Sequence, residues 1–160
     1  LKLGIERSSK TWILTTDVDL SVPLSQIFKW NKKKFLKNKN ILFGSRNLKN
    51  SKVNTRIHRY VLGKIFNFLI KLILRISIKD TQCGFKLYNK KFAKILFQEL
   101  NDLSFTHDLE IVILANKKNF SIHELPVTWT HKKGSKLNIF FDPIRMFFKI
   151  LLLRYNLYLN

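Results

Sequence analysis

Two kinds of apolar pattern alternate along the chain. Short continuous runs end in polar turns, and longer stretches repeat their apolar residues every three or four positions. The first short run, Trp12 to Thr16, predicts a buried strand. Leu24, Ile27, Phe28 and Phe35 then recur at helical spacing, and Pro23 suits a first helical turn because its φ is already fixed there. Ile41 to Arg46, ILFGSR, predicts a second strand closing on a glycine turn. Strand, helix and strand in that order predict a βαβ unit and a parallel sheet.

Arg46 to Arg56 is polar and predicts a loop. From Arg56 to Ile76 a long helix is predicted, in which Lys64, Asn67, Lys71 and Arg75 form one narrow polar stripe on a large apolar surface. A loop then leads to a short strand at Gly84 to Tyr88, followed by helices at Lys90 to Leu100 and His107 to Lys118. Ser121 to His131 alternates and predicts one strand, and Lys132 to Asn138 is a basic loop. The last helix starts at Asp142 and Pro143, a good cap and first-turn pair, and carries Arg145, Lys149 and Asn156 as a second narrow polar stripe. There is no internal repeat and no linker.

Neither long helix reads as a membrane span, which needs about twenty apolar residues with few charges. Lys64, Lys71 and Arg75 interrupt one, and Arg145, Lys149 and Arg154 interrupt the other. Wide apolar faces edged by cations predict helices lying in a membrane interface, with burial against the sheet as the ordinary alternative.

Composition narrows the class. A chain of 160 residues is one domain's worth, and an apolar fraction of 46% with 14 Phe excludes a disordered coil. Cys83 is the one cysteine, so no internal disulfide forms. The opening LKLGIERSSK has no Met and no signal-peptide pattern, and reads as mid-domain sequence. The formal charge of +20 attracts anions, whether nucleic acid, an acidic membrane surface or phosphorylated substrates. Part of that lysine reflects a general Lys, Asn, Ile and Phe bias, and the run from Asn31 to Asn40, NKKKFLKNKN, reads as a solvated helix end.

Against 30 Lys and Arg stand 10 acids, and two of these, Asp17 and Asp19, sit one residue apart at the end of the first apolar run. On an extended strand, residues i and i+2 point to one side, so the two carboxylates would converge and share a hard divalent cation such as Mg²⁺ or Mn²⁺. Ligands in open α/β sheets bind outside the carboxyl ends of strands, where these acids fall. A turn with an aspartate cap explains the same spacing.

The acid pair belongs to an ordered series. TTDVDLS is followed by FGSRN, by DTQCGFKLY at Asp80 to Tyr88, by HDLEI at His107 to Ile111, by ELPVTW at Glu124 to Trp129 and by GSKLN at Gly134 to Asn138. This series resembles the family 2 glycosyltransferases. Within them it is most similar to the polyprenyl-phosphate sugar transferases, the dolichyl-phosphate β-glucosyltransferase and mannose synthase branches. DTQCGFKLY and the late ELPVTW and GSKL pair are the specific motifs. The base-holding P-x-Y-N-E-like segment at the start of family members has no counterpart here, and LKLGIERS resembles the helix just before the acid-pair strand. The chain therefore reads as residues 1–160 of the C-terminal two-thirds of a single transferase domain.

The resemblance implies a GT-A, Rossmann-like α/β fold. Its sheet would be mostly parallel with helices on both faces, and amphipathic interfacial helices would lie near 56–76 and 142–158. It implies a metal-dependent, inverting transfer of a sugar, glucose by the closeness of those motifs, from a UDP-sugar to a polyprenyl phosphate such as dolichyl or undecaprenyl phosphate. A GDP-sugar is the lesser alternative. Asp17 and Asp19 would hold Mg²⁺ or Mn²⁺, and Arg46 would contact the donor diphosphate or the acceptor phosphate. Arg59 matches a position that binds acceptor phosphate, and Ser135 and Lys136 match a late loop that closes over the phosphates. Ser21 stands where mannose synthases carry a further metal-ligating side chain. Asp80 would order its loop or touch the acceptor region. Asp108, the base in relatives with hydroxyl acceptors, would be structural or loop-anchoring, because a lipid phosphate is already ionised and needs no deprotonation. The work would be done at the cytoplasmic face of a membrane, with no nucleic acid involved.

Other residues have plain roles. Cys83 reads as packed, Trp129 as core or rim, and His58, His107, His123 and His131 show no metal-ligand spacing. Three alternatives stand beside the leading reading. One is a family 2 transferase with a hydroxyl acceptor in cell-surface polysaccharide synthesis, for which Asp108 would be an essential base. Another is a basic nucleic-acid-binding module, which explains the charge but leaves the acid pair idle and shows no recognised motif. The last is an inactive fragment with an exposed edge strand.

Overall fold

The computed structural model describes residues 1–32, 40–55, 57–102, 104, 106–132 and 141–159, with the backbone alone at 32, 58, 59, 141–144 and 157–159. In chain order the elements are α1 (Lys2–Arg7), β1 (Trp12–Thr15), α2 (Gln26–Lys32), β2 (Ile41–Ser45), β3 (Lys52–Asn54) and α3 (Ile57–Leu74). They continue with β4 (Lys86–Asn89), α4 (Lys90–Glu99), α5 (His107–Lys117), β5 (Ile122–Pro126), β6 (Thr128–Thr130) and α6 (Phe141–Leu159).

Four strands form the main sheet in the order β1-β4-β2-β5. β2 and β5 are parallel, but β4 runs antiparallel to both β1 and β2. Strands β1, β2 and β5 therefore share one direction and β4 is inserted against it. The sheet keeps the expected common direction in three of its four strands, while β4 makes two of the three pairings, with β1 and with β2, antiparallel. Hydrophobic periodicity carries no strand direction, so the reversal was not legible. The reversal has a consequence for the site, because the start of β4 lies at the same sheet end as the finishes of β1 and β2.

Strand β2 is buried along its whole length, as its continuous apolar run requires of a strand covered on both faces. Its alternation splits the core. Ile41 and Phe43 face Tyr88, Leu96, Phe97, Leu109 and Val112 on the side of α4 and α5. Leu42 faces Trp30, Phe85, Leu87 and Leu125 on the side of α2. Tyr88 meets Phe97 edge-on at 5.5 Å, and Trp30 meets Phe85 at 5.2 Å. Helices thus cover both faces, as expected. Gly44 is there for close approach: a Cβ would come within 2.8 Å of the Phe85 carbonyl oxygen and of Val127.

The single strand expected over Ser121 to His131 is two. β5 pairs with β2, and β6 leaves to pair with β3 in a separate parallel ribbon. Pro126 has no N–H for a ladder, and Gln26 takes over the break by donating to the Pro126 carbonyl at 3.2 Å and accepting from Thr128 N at 3.2 Å. Strand β3 lies inside the segment expected to be a loop. At three residues it has no period to read, and its partner lies 76 positions away, Lys52 with Thr128.

α3 and α6 pack side by side and place Ile70, Leu74 and Ile150 in the core. Their other sides are apolar and open: Leu62, Ile65, Phe68 and Leu72 on α3, and Phe148, Leu152 and Tyr155 on α6, are all exposed. In the expected polar stripe of α3, Lys64 and Arg75 are exposed, while Asn67 and Lys71 are half-buried. Arg75 ends the helix with a φ of 52°. No helix among the described residues is long and apolar enough to cross a membrane. The run from residue 33 to 39 lies outside the described residues, so the solvated helix end expected there is not placed.

Candidate functional site

Because β1 and β2 run together against β4, four segments gather at one sheet end. These are the turn after β1, the finish of β2, the loop and start of β4, and the first turn of α5. Asp17 and Asp19 sit on the first. They are not on an extended strand: β1 stops at Thr15, and Leu20 N donates to the Asp17 carbonyl at 3.1 Å to close a turn. Leu20 takes a φ of 51° there. Asp19 caps this turn, accepting from Ser21 N at 2.9 Å on one oxygen and from Ser21 Oγ at 2.9 Å on the other. The turn-with-cap alternative therefore describes the local backbone. The acids still act on one another, since the Asp19 charge is among the causes that move the Asp17 carboxyl.

The Asp17 carboxyl packs on the bare Cα of Gly84, and any side chain at that glycine would overlap it. Loss of hydration at this seat raises the Asp17 pKa above its usual range, Lys86 and Arg46 pull it back, and the Asp19 and Asp108 charges push it further up.

Arg46 follows directly from β2. Asp80 grips it with both oxygens, accepting from Nε at 2.8 Å, from Nη2 at 2.9 Å and from the Arg46 backbone N at 2.8 Å. Asp80 is fully buried. Burial opposes its charge, but the Arg46 guanidinium outweighs it and holds the carboxyl below its usual range. The Arg46 side chain reaches over Trp129 of β6, 5.7 Å from the ring centre. Glu124 of β5 pins the same loop by accepting from Lys79 N at 2.7 Å and Asp80 N at 2.9 Å. Asp80 therefore orders the DTQCG loop. Cys83 is buried in that loop, and burial pushes its thiol up to about 11, so it is packed and protonated.

Lys86 begins β4 and points to the α5 side of the sheet. Its ammonium lies 2.6 Å from Asp108 Oδ2 and 4.9 Å from the centre of the Phe43 ring, with 1% of its side chain exposed. The other oxygen of Asp108 meets His107 Nε2 at 3.2 Å, and His107 Nδ1 lies 2.7 Å from the Ser104 carbonyl. Both ring nitrogens face acceptors, which favours the doubly protonated imidazolium and raises the His107 pKa. Asp108 is thus held between two cations at the N-terminus of a helix, and its pKa is lowered despite burial.

Beside Arg46 opens a cavity of about 530 Å³ between β3 and the start of α3. Arg46, Lys49 and Lys64 give it positive charge, with Ser51, Thr55 and Tyr60 as further polar groups. Asp17, Asp19, Arg46, Asp80 and Asp108 are thus brought to one sheet end. Arg59 lies in the first turns of α3 at a position where the backbone alone is described, and Ser135 and Lys136 lie outside the described residues. Among the described residues no three His, Cys, Asp or Glu side chains converge as a metal cluster. Lys86, Gly84 and Glu124 also belong to this site, and local spacing assigns none of them a role. The lysine inside FKLY, between apolar strand residues, was the one available signal.

No protein-family model matches the chain. Curated relatives do. The chain is 32% identical over 135 residues, 79% of its length, to a dolichyl-phosphate beta-glucosyltransferase of Trichomonas vaginalis. It is 39% identical over 108 residues, 66% of its length, to the Drosophila melanogaster protein of that name. It is 30% identical over 161 aligned positions, 96% of its length, to the Homo sapiens one. The chain belongs to the family 2 glycosyltransferases. It spans 41%, 33% and 50% of the lengths of these three relatives, so it matches half of each or less. Within this transferase family, the motifs TTDVDLS, FGSRN, DTQCGFKLY and HDLEI now occupy one continuous rim of the sheet.

Proposed function

We propose that the protein containing this chain transfers glucose, in a metal-dependent inverting reaction, from UDP-glucose to a polyprenyl phosphate of the dolichyl type, working at the cytoplasmic face of a membrane. The observation that carries this reading is the convergence of Asp17, Asp19 and Arg46 at the sheet end, beside a cationic cavity.

The acid pair fits a hard divalent ion such as Mg²⁺ or Mn²⁺. Asp17 and Asp19 offer hard oxygen donors at the same sheet end, close enough that the Asp19 charge acts on the Asp17 carboxyl. A bound ion there supplies charge neutralisation to a departing diphosphate. The rest falls to the chain's own residues. Asp80 occupies Nε and Nη2 of Arg46, which fixes the fork and leaves Nη1 to meet a phosphate oxygen. Arg46, Lys49 and Lys64 make the cavity a seat for the acceptor phosphate. Arg59, Ser135 and Lys136 complete the phosphate contacts in this reading. Positioning and charge neutralisation carry most of the rate, since the attacking phosphate oxygen is already ionised. The exposed apolar sides of α3 and α6 rest on the membrane that holds the acceptor's tail.

Two alternatives lose ground. A hydroxyl acceptor needs a competent base, whereas Asp108 is ion-paired with Lys86 and His107 and its lowered pKa makes it a weak one. A nucleic-acid module leaves the acid pair and the buried Arg46–Asp80 clamp without a role. The test is transfer from labelled UDP-glucose to dolichyl phosphate by the full-length protein with Mn²⁺, then with EDTA and with Asp19→Ala. No lipid-linked glucose overturns the transfer reading. Full activity in EDTA or in Asp19→Ala overturns the metal.

A further inference from the structure

A lysine with 1% of its side chain exposed is costly to bury, and a buried ion pair is weak evidence for stability. Replacing such a pair by apolar groups is often neutral. Lys86 is therefore better explained by what it does to its surroundings. It faces Asp108 at 2.6 Å, while His107 takes the other carboxylate oxygen at 3.2 Å. The charges of Lys86 and Asp108 both act on the carboxyl of Asp17. Asp108 thus lies close to the reacting end of the sheet, yet both of its oxygens are committed.

We propose that Lys86 is a specificity-determining residue: by pairing with Asp108 it removes a general base from the site, restricting the acceptor to one already ionised and suppressing attack by water. The inference rests on the transfer reading above and adds a residue and a side reaction to it. In hydrolysis, a water oxygen forms the new bond to the anomeric carbon, the bond from that carbon to the diphosphate oxygen breaks, UDP leaves, and the water's proton needs an acceptor. A free Asp108 carboxylate would take it. A phosphate acceptor attacks through an oxygen that carries no proton, so transfer needs no such group. A base in position is worth about a hundredfold or more in rate, which makes its removal an effective filter.

The experiment uses the full-length protein with UDP-glucose, dolichyl phosphate and Mn²⁺, and reads the ratio of free glucose to lipid-linked glucose. Lys86→Gln removes the ion pair from Asp108 Oδ2 while His107 stays on Oδ1, and the ratio is expected to rise about tenfold or more. An unchanged ratio in a protein that melts as a folded species overturns the proposal. If that variant does not fold, Lys86→Gln/Asp108→Asn, which removes both charges, is read instead. Its ratio is expected to match wild type, because the base is silenced in one and absent in the other. A ratio that falls about tenfold means that Asp108 already serves as a base, and overturns the proposal. Wild type that makes no lipid-linked glucose defeats the transfer reading alone. The free-glucose rate with UDP-glucose and no acceptor then decides: it rises in Lys86→Gln and not in the double variant, or the lysine has no such role.

Discussion

The carboxyl group of Asp17 rests on the Cα of Gly84, and no other residue type fits between them. The two come from β1 and from the loop before β4, so the antiparallel insertion of β4 creates this contact. Gly84→Ala would drive the carboxyl off its seat. Misplacing a reacting group by about 1 Å costs roughly a hundredfold in rate. The expected outcome is a fall in kcat of about that size, with a Tm close to wild type because the displaced side chain opens to solvent. A variant with kcat within about twofold of wild type would show that Asp17 does not need this position.

Much of the scaffold was legible. Trp12 to Thr16, Lys90 to Leu100 and His107 to Lys118 match β1, α4 and α5 to within one residue, because their patterns are strong and their burial is one-sided or complete. The helix resembling LKLGIERS is α1, Lys2–Arg7. Non-local features were not legible. The direction of β4, the short ribbon of β3 with β6, and the partner of Lys86 all depend on residues tens of positions away, which no local window contains. Asp17 and Asp19 were found by their scarcity, while the strand geometry assigned to them was wrong: a turn capped by Asp19 brings them to the same sheet end.

Asp80, itself fully buried, holds the Arg46 fork with two hydrogen bonds and the Arg46 backbone N with a third, and also accepts from Gln82 N at 3.2 Å. Taking away one partner of a buried pair leaves an unpaired charge and costs about 3–5 kcal/mol. Because Arg46 keeps 27% of its side chain in solvent, Asp80→Asn should lower stability by less than that, about 1–3 kcal/mol in chemical denaturation, and also free Arg46 to swing from Trp129. Arg46→Lys should keep part of the stability but lose the fork, so KM for the acceptor rises while the fold persists. Equal stability of Asp80→Asn and wild type would show that the clamp is not formed in solution.

Stability should be lost as pH rises past neutrality, through His107, and again only in strong acid, through the aspartates. His107 has a raised pKa in the fold, so its contribution is complete below its unfolded value of about 6.5 and disappears as pH rises through the folded value. Asp80 and Asp108 have lowered values, so theirs is present above about 3.9 and lost as pH falls through their folded values. Asp102, held down to about 2 by Ser104 and Thr106 against burial, follows the same acid limb. Tm measured from about pH 2 to pH 9 should decline on the alkaline side above about 6.5, and His107→Ala should flatten that decline alone. An alkaline limb that survives the substitution assigns it to another group.

The exposed apolar sides of α3 and α6 make a prediction in which stability and binding separate. Phe68 and Leu72 are 64% and 65% exposed, and Leu152 is 58% exposed, so replacing them removes little core packing. Fully burying one such side chain is worth about 1.5–3 kcal/mol. Phe68→Glu/Leu152→Glu should therefore weaken co-sedimentation with vesicles of neutral and anionic phospholipid by well over tenfold, since it also sets two acids against an anionic surface. Its Tm should stay near that of wild type or rise. The cations Lys64, Lys71, Arg145 and Arg154 add a second signature, because their share of binding declines with added salt, whereas the apolar share does not. Binding that vanishes entirely at about 0.5 M salt and ignores the Phe68 and Leu152 substitutions would reduce these helices to a basic surface, and would leave the acceptor's delivery to the cavity beside Arg46 without a platform.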